Sequence, residues 1–151
     1  INIRDYLHEI ISSFKEISKK EFVFNFDQDS NPKKISKSIE IVYGLRNFIG
    51  NANKFAKNSI FINLKSDSEF TEITVEDDGN GYPRDILSKI GEPYLKSNYS
   101  KDKSKEGLGL GLFIGKTLLE KNFALVNCRN SKTRNGAEVV IRWKNKELFN
   151  I

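Results

Sequence analysis

Residues 107–112 read Gly-Leu-Gly-Leu-Gly-Leu and run directly into an apolar segment of helical spacing, Phe113–Leu119. Glycines at alternate positions can approach another group closely and adopt φ > 0 without penalty. At a helix start they would aim free N–H groups and the positive end of the macrodipole at one point, which suits a phosphate. A plain packing joint would use the same residues, so the run alone leaves both readings open.

The 151 residues fit one domain, able to bury roughly 70% of the unfolded surface. Hydrophobic residues make up 38% and charged residues 30%, as in a soluble globular protein rather than a disordered one. Methionine is absent, from which we expect a fragment of a longer protein. The net charge of +5 comes with 20 acidic residues spread throughout. That describes a solvated lysine-rich surface, and no nucleic-acid partner is expected. The single cysteine, Cys128, excludes an internal disulfide and fits a reducing, cytoplasmic compartment. No apolar run approaches the ~20 residues of a membrane span, so this piece should make no direct membrane contact.

The order of elements is set by periodicity. Ile3, Tyr6, Leu7, Ile10, Ile11, Phe14 and Ile17 predict a helix capped by Asn2. Glu21–Asp27 alternates as a strand, and Gln28–Lys34 is a loop. Ile41 through Ala56 predicts a long helix, and two strands come next at Ser59–Ser66 and Phe70–Glu76. Pro83–Ile90 predicts a short helix. Glu92–Glu106 is polar and aperiodic, a long lid-like loop expected to be mobile until a ligand orders it. A helix should begin at the glycine run, and strands near Ala124–Arg129 and Ala137–Trp143 should flank an Asn135-Gly136 turn. The predicted class is α+β: a two-layer sandwich with a mixed, mostly antiparallel sheet and about three helices on one face.

Two further motifs precede the glycine run. Asn47, Asn51 and Lys54 fall at i, i+4 and i+7 of the long helix and share one side of it. Asparagine is a mediocre helix former. Its amide oxygen could coordinate Mg²⁺ while Lys54 meets a phosphate, or both amides could simply satisfy neighbouring backbone. Asp77-Asp78-Gly79-Asn80-Gly81 ends an apolar strand. The carboxylate of Asp77 could accept from an adenine amino group, or the segment could be an ordinary Asp/Gly turn.

Taken in order, Asn47…Asn51-Ala52…Lys54-Phe55, Asp77-x-Gly79-x-Gly81 and Gly107-x-Gly109-Leu110-Gly111-Leu112 resemble the N, G1 and G2 boxes of the GHKL superfamily. That superfamily's ATP-binding Bergerat fold is shared by sensor histidine kinases, type II topoisomerases, Hsp90 and MutL. Within it, LRNFIGNANKFA and VEDDGNGYP are most similar to the histidine kinases, and Gly91–Tyr94, Gly107–Glu120 and Gly136–Trp143 to the RegB-type redox-responsive sensor kinases.

The resemblance implies that Asp77 reads the adenine amino group, with Phe55, Tyr82 and Ile90 as apolar wall. It implies Mg²⁺ on Asn51, support from Asn47, and a terminal phosphate oxygen on Lys54. Gly79 and Gly81 would let the chain turn beneath the base. The backbone of Gly107, Leu108, Gly109, Leu110, Gly111 and Leu112 would cradle the triphosphate, and Lys96 in the lid would reach the γ-phosphate. Superfamily ATPases carry a glutamate general base where this chain has Asn47, and an amide cannot take a proton at neutral pH. The implied activity is therefore transfer of the γ-phosphate to a histidine on a separate dimerisation and phosphoacceptor domain, with a response regulator downstream. The parent would be a homodimer in the bacterial inner membrane with this domain on the cytoplasmic side. A GHKL serine kinase of the anti-sigma type and a non-catalytic nucleotide-binding module are the alternatives.

Three positions depart from the family pattern. Leu108 replaces a hydroxyl residue, Gly91 the lid phenylalanine, and Ala137 a threonine. His8-Glu9 resembles a phosphoacceptor box but lacks its subsequent proline, so His8 is read as an ordinary surface histidine.

Overall fold

Alternate residues of five strands converge on one apolar face, and three helices cover it. The computed structural model describes residues 2–26, 38–89 and 103–148, with backbone alone at 89 and 103–109. The strands are β1 (Glu21–Phe26), β2 (Ser59–Ser66), β3 (Phe70–Asp77), β4 (Leu125–Asn130) and β5 (Ala137–Lys144). They lie in the order β1-β2-β3-β5-β4. The first pair is parallel and the other three are antiparallel. The parallel pair requires a crossover, which helix α2 (Ile39–Phe55) supplies.

Register aligns the inward side chains in rows across the sheet. Phe24, Ile62, Val75, Val139 and Cys128 form one row, and Phe26, Leu64, Ile73, Ile141 and Val126 the next. Against these rows pack Ile3, Tyr6, Leu7, Ile10 and Ile11 of α1 (Ile3–Lys15), the Ile41–Ala52 stripe of α2, and Leu112 and Leu119 of α4 (Lys103–Lys121). Helix α3 (Arg84–Lys89) comes after the Asp77–Gly81 turn, and a last turn, α5 (Asn145–Leu148), closes the described chain. The α+β class with its mixed, mostly antiparallel sheet is thus observed.

Local chemistry sets the helix boundaries. Asn2 Oδ1 accepts from the Asp5 N–H at 2.8 Å and Ser38 Oγ from the Ile41 N–H at 3.3 Å, each satisfying an otherwise orphaned first-turn donor. The first helix stops at Lys15, so Ile17 leaves the expected stripe and is 81% exposed. His8 is exposed, its ring edge-on to Phe24 at 4.8 Å. Asn145 accepts from Thr71 Oγ1 at 2.6 Å and donates to the Asp67 carbonyl at 2.8 Å, which fixes the unexpected α5 at the β2–β3 turn. Cys128 is half-buried on the inward row, and burial pushes its thiol up to about 12.

The expected start of the fourth helix is corrected. Helix α4 begins at Lys103, four residues before Gly107, because Lys103–Glu106 are tolerable helix formers and extend the helix backwards. The lid-like loop, expected to run to Glu106, therefore gives way to helix at Lys103; residues 90–102 lie outside the described residues.

A glycine seam joins α2 to α4. A Cβ on Gly115 would stand 2.8 Å from Cε2 of the buried Phe48 ring. Gly115→Val should therefore destabilise the domain by about 1–3 kcal/mol through overpacking. Gly50, in mid-α2, has the Phe14 ring at ordinary contact distance from such a Cβ, Cζ at 3.4 Å and Cε1 at 3.7 Å. Gly50→Ala should be neutral or stabilising by up to about 1 kcal/mol, as helix propensity alone dictates. Urea unfolding of both variants tests the seam; equal effects would refute it.

Candidate functional site

The end of β3, the end of α2, the β4–β5 hairpin and α4 converge around two groups of polar atoms. The first is centred on Asp77, the last residue of β3, where the strand's alternation turns its side chain inward to 3% exposure. Its Oδ1 accepts from the Gly79 N–H at 2.8 Å and the Ala137 N–H at 3.3 Å. Both bonds fall on Oδ1, so among the described residues Oδ2 remains for an incoming donor. Burial raises the Asp77 carboxyl above the usual range, the two N–H groups pull it down in part, and the negative charges of Asp78 and Glu76 raise it again.

Backbone presses on this carboxylate from two sides. A Cβ on Gly79 would lie 2.2 Å from the Phe55 carbonyl oxygen, and one on Gly136 would lie 1.9 Å from the Asp77 carbonyl oxygen. Only glycine fits at either place. Gly81 adopts φ +80° as the chain turns towards α3, a conformation glycine takes without strain.

Nearby, Phe55 is half-buried and Tyr82 is buried, its phenol held by burial well above its ordinary range. Tyr82 is clamped by an amide: its N–H donates to Asn130 Oδ1 at 2.6 Å, and Asn130 Nδ2 donates to its carbonyl at 3.1 Å. Asp78, pointing the other way, accepts from the N–H groups of Lys57 (2.8 Å), Asn58 (3.0 Å) and Ser59 (3.2 Å). Partial burial lifts its carboxyl, and these donors outweigh that, leaving it below the usual range. Asp78 thereby ties the end of α2 to the end of β3.

Sequence reasoning singles out neither Asn130 nor Asp78. The doubled Asp77-Asp78 is the available signal for the second, since adjacent strand residues face opposite ways. For Asn130 no local signal exists; its partner lies 48 residues away.

The second group sits on the glycine seam. Among the described residues Asn51 Nδ2 is buried without a hydrogen-bond partner, and a Cβ on Gly111 would stand 3.1 Å from it. An unsatisfied buried amide is costly. Because a carboxamide can present either its oxygen or its nitrogen after a half-turn, Asn51 suits an oxygen-seeking cation or a phosphate oxygen. Among the described residues no cluster of three His, Cys, Asp or Glu side chains competes for a metal.

Asn47 is satisfied on its own helix, Nδ2 donating to the Tyr43 carbonyl at 2.8 Å. Lys54 is exposed, its Nζ 5.3 Å from the centre of the Phe55 ring. Lys20 Nζ donates to the Asn53 carbonyl and to the Lys54 carbonyl (3.3 Å), capping the end of the helix that carries these groups.

The structure thus brings Asp77, Gly79, Phe55 and Tyr82 together at one end and Asn51 and Gly111 at the other. Gly107 and Gly109 lie within α4 instead of at its start, Leu112 is buried, and Leu110 is exposed. Ile90, Lys96 and the Leu108 side chain fall outside what is described.

The sequence profile of the histidine kinase-, DNA gyrase B- and HSP90-like ATPases matches residues 36–147. Sensor histidine kinase RegB of Cereibacter sphaeroides is 38% identical over 97 residues, 61% of this chain. The chain aligns with about a fifth (21%) of that relative's length. The nucleotide-free catalytic domain of histidine kinase ThkA superposes with a TM-score of 0.76 at 20% identity, covering 96% of this chain and 94% of that one. Full-length ShkA in complex with AMPPNP superposes at 0.73 and 21% identity, over 95% of this chain and 30% of that one. The structural likenesses carry the fold, the sequence match carries the family, and the chain belongs to the histidine kinase-, DNA gyrase B- and HSP90-like ATPases.

Proposed function

We propose that this domain binds Mg-ATP and donates the γ-phosphate to a histidine on a separate dimerisation and phosphoacceptor domain, from which a response regulator is phosphorylated. The observation that carries the reading is the pairing of a buried carboxylate, Asp77, whose bonds among the described residues both fall on Oδ1, with a buried amide nitrogen, Asn51 Nδ2, that has no partner among them. The first suits the adenine amino group. The second suits Mg²⁺ or a phosphate.

Each residue then has a defined task. Asp77 Oδ2 accepts from the base, while Phe55 and Tyr82 exclude water from its faces. Asn51 would hold the metal, which when bound would supply charge neutralisation to the phosphates. Lys54 swings from its place over Phe55 to a terminal phosphate oxygen, and the α4 glycines allow phosphates to approach the backbone. Lys96 would add a cation from the lid.

Asn47 cannot act as a general base, and its amide is already engaged with the Tyr43 carbonyl. Bound ATP would therefore persist until an outside nucleophile arrives. The exposed, apolar Leu110 and Ile114, beside the packed Gly111 and Gly115, suit a docking partner at that end. The kinship with RegB favours a histidine acceptor over the serine of an anti-sigma type kinase. The parent would be a homodimer held in the inner membrane with this domain on the cytoplasmic side; none of the described helices is long and apolar enough to cross a membrane.

Titration calorimetry tests the site. Asn51→Ala and Asp77→Asn should each weaken Mg-ATP binding by about tenfold or more, the worth of one hydrogen bond to a charged group. Removing Mg²⁺ should weaken the wild type but add little to Asn51→Ala. Unchanged affinity in both variants would refute the assignment.

Asp77 should also trade stability for binding. Its folded pKa is raised, so its ionised form costs stability, an effect absent below its unfolded pKa of about 4 and complete above the raised value. In nucleotide-free protein Asp77→Asn should raise Tm at pH 7 and lose that advantage towards pH 3. A lower Tm at pH 7 would contradict this.

Transfer itself is tested with γ-labelled ATP. The domain alone should acquire no acid-labile label, and adding a phosphoacceptor domain should give label on that partner. Label on the isolated domain that vanishes in His8→Gln would reassign His8. No transfer to a competent acceptor would favour a non-catalytic nucleotide-binding module.

A further inference from the structure

We infer that Glu76, on the sheet face opposite the base, is a positioning residue for adenine recognition, acting through the 131–136 loop. The inference rests on the reading of Asp77 as the adenine-reading group.

Glu76 and Asp77 are neighbours on β3, so their side chains leave opposite faces of the sheet. The outer face is largely polar and open, yet Glu76 is only 7% exposed. A carboxylate that far from water needs partners. Among the described residues it has three, all from the β4–β5 connection. Ser131 Oγ donates to Oε2, Thr133 Oγ1 lies 3.4 Å from the same oxygen, and Arg134 Nε stands 3.5 Å from Oε1. The Arg134 guanidinium also sits 3.5 Å above the ring of Phe61, the residue paired with Glu76 across β2.

The same short loop grips the base site with both ends. At its start, Asn130 clamps the backbone of Tyr82. At its close, Gly136 packs on the Asp77 carbonyl and Ala137 donates to Asp77 Oδ1. The loop is internally stiff: Ser131 Oγ accepts from the Arg134 N–H at 3.1 Å, and the Ser131 N–H donates to the Gly136 carbonyl at 2.7 Å. Asn135 at φ 63° completes the turn. Glu76 thus holds from behind the loop that aims Asp77 and Tyr82 in front. The phosphate-side groups, Asn51 and Gly111, belong to the separate α2–α4 seam.

That division gives the test. Dissociation constants are measured for Mg-ATP, Mg-ITP and, by competition, Mg-tripolyphosphate, in the wild type, Glu76→Ala, Glu76→Gln and Ser131→Ala. ITP carries an oxygen where ATP has its amino group, so the wild type should prefer ATP by about tenfold to a hundredfold. Glu76→Ala should weaken ATP by about tenfold while ITP and tripolyphosphate stay within about twofold, collapsing the preference. Glu76→Gln, whose amide oxygen still accepts from Ser131, should keep it.

An unchanged ATP-to-ITP ratio in Glu76→Ala would overturn the inference, as would a parallel loss of tripolyphosphate binding, the mark of general damage. A Glu76→Gln as weak as Glu76→Ala would overturn it too. If Glu76→Ala does not fold, Ser131→Ala decides: it must lower the same ratio, and an unchanged ratio refutes the inference. A wild type that binds ATP and ITP equally would instead sink the adenine reading of Asp77, and this inference with it.

Discussion

Burying the Asp77 carboxylate costs free energy that two backbone N–H groups only partly offset. Much of the surrounding architecture serves to keep it there. Glycine is required at 79 and 136 because a Cβ there would strike the carbonyl oxygens of Phe55 and Asp77 beside the carboxylate. Asp78 must turn outward, and does so as a cap that ties the end of α2 to the end of β3. Strand β5 must begin beside the end of β3 to deliver the Ala137 N–H. A strand end that merely turned would need none of this. The cost is consistent with a site that completes its hydrogen bonding only when a ligand donor arrives.

The α2–α4 seam obeys a second constraint. Gly115 lets the Phe48 ring lie against the α4 backbone, and Gly111 does the same for the Asn51 amide one turn earlier. The alternating glycines therefore serve packing as well as any role towards phosphate. The apolar contact at Gly115 and Phe48 fixes the helices. The polar contact at Gly111 and Asn51 then inherits a fixed geometry, with an amide nitrogen left unpaired. Rigid packing beside an unsatisfied polar group is how a fold presents a ligand atom with little reorganisation.

The parts of this fold legible from sequence are those governed by local rules. Ser59–Ser66 reads as a strand because Ile60, Ile62 and Leu64 alternate with exposed or half-buried residues, and the structure ends it where the sequence does. Asn2 caps α1 as its side chain dictates. The start of α4 is misread from sequence because glycine is a poor helix former, whereas Lys103–Glu106 carry the helix backwards beyond Gly107 and Gly109. Helix α5 escapes sequence reading because its anchor is a buried bond between Thr71 and Asn145, 74 residues apart. In the site, the residue types are visible as motifs, but their states are not. Nothing local distinguishes Asn47, bonded to the Tyr43 carbonyl, from Asn51, left unpaired one turn later; only the approach of α4 does.

That difference bears on chemistry. Two asparagines on one helix face could share a ligand, yet the structure gives them unequal availability. Asn47 already donates along its own helix, so recruiting its nitrogen would break a bond at 2.8 Å, while Asn51 would gain one. For a phosphate oxygen, which accepts, that bias favours Asn51 over Asn47 as the donor in the proposed site. Neither amide can take a proton from water beside a bound phosphate. In the proposed transfer a nucleophile must then bring its own basicity, and a neutral imidazole does so where a serine hydroxyl or a water molecule would need a base supplied to it.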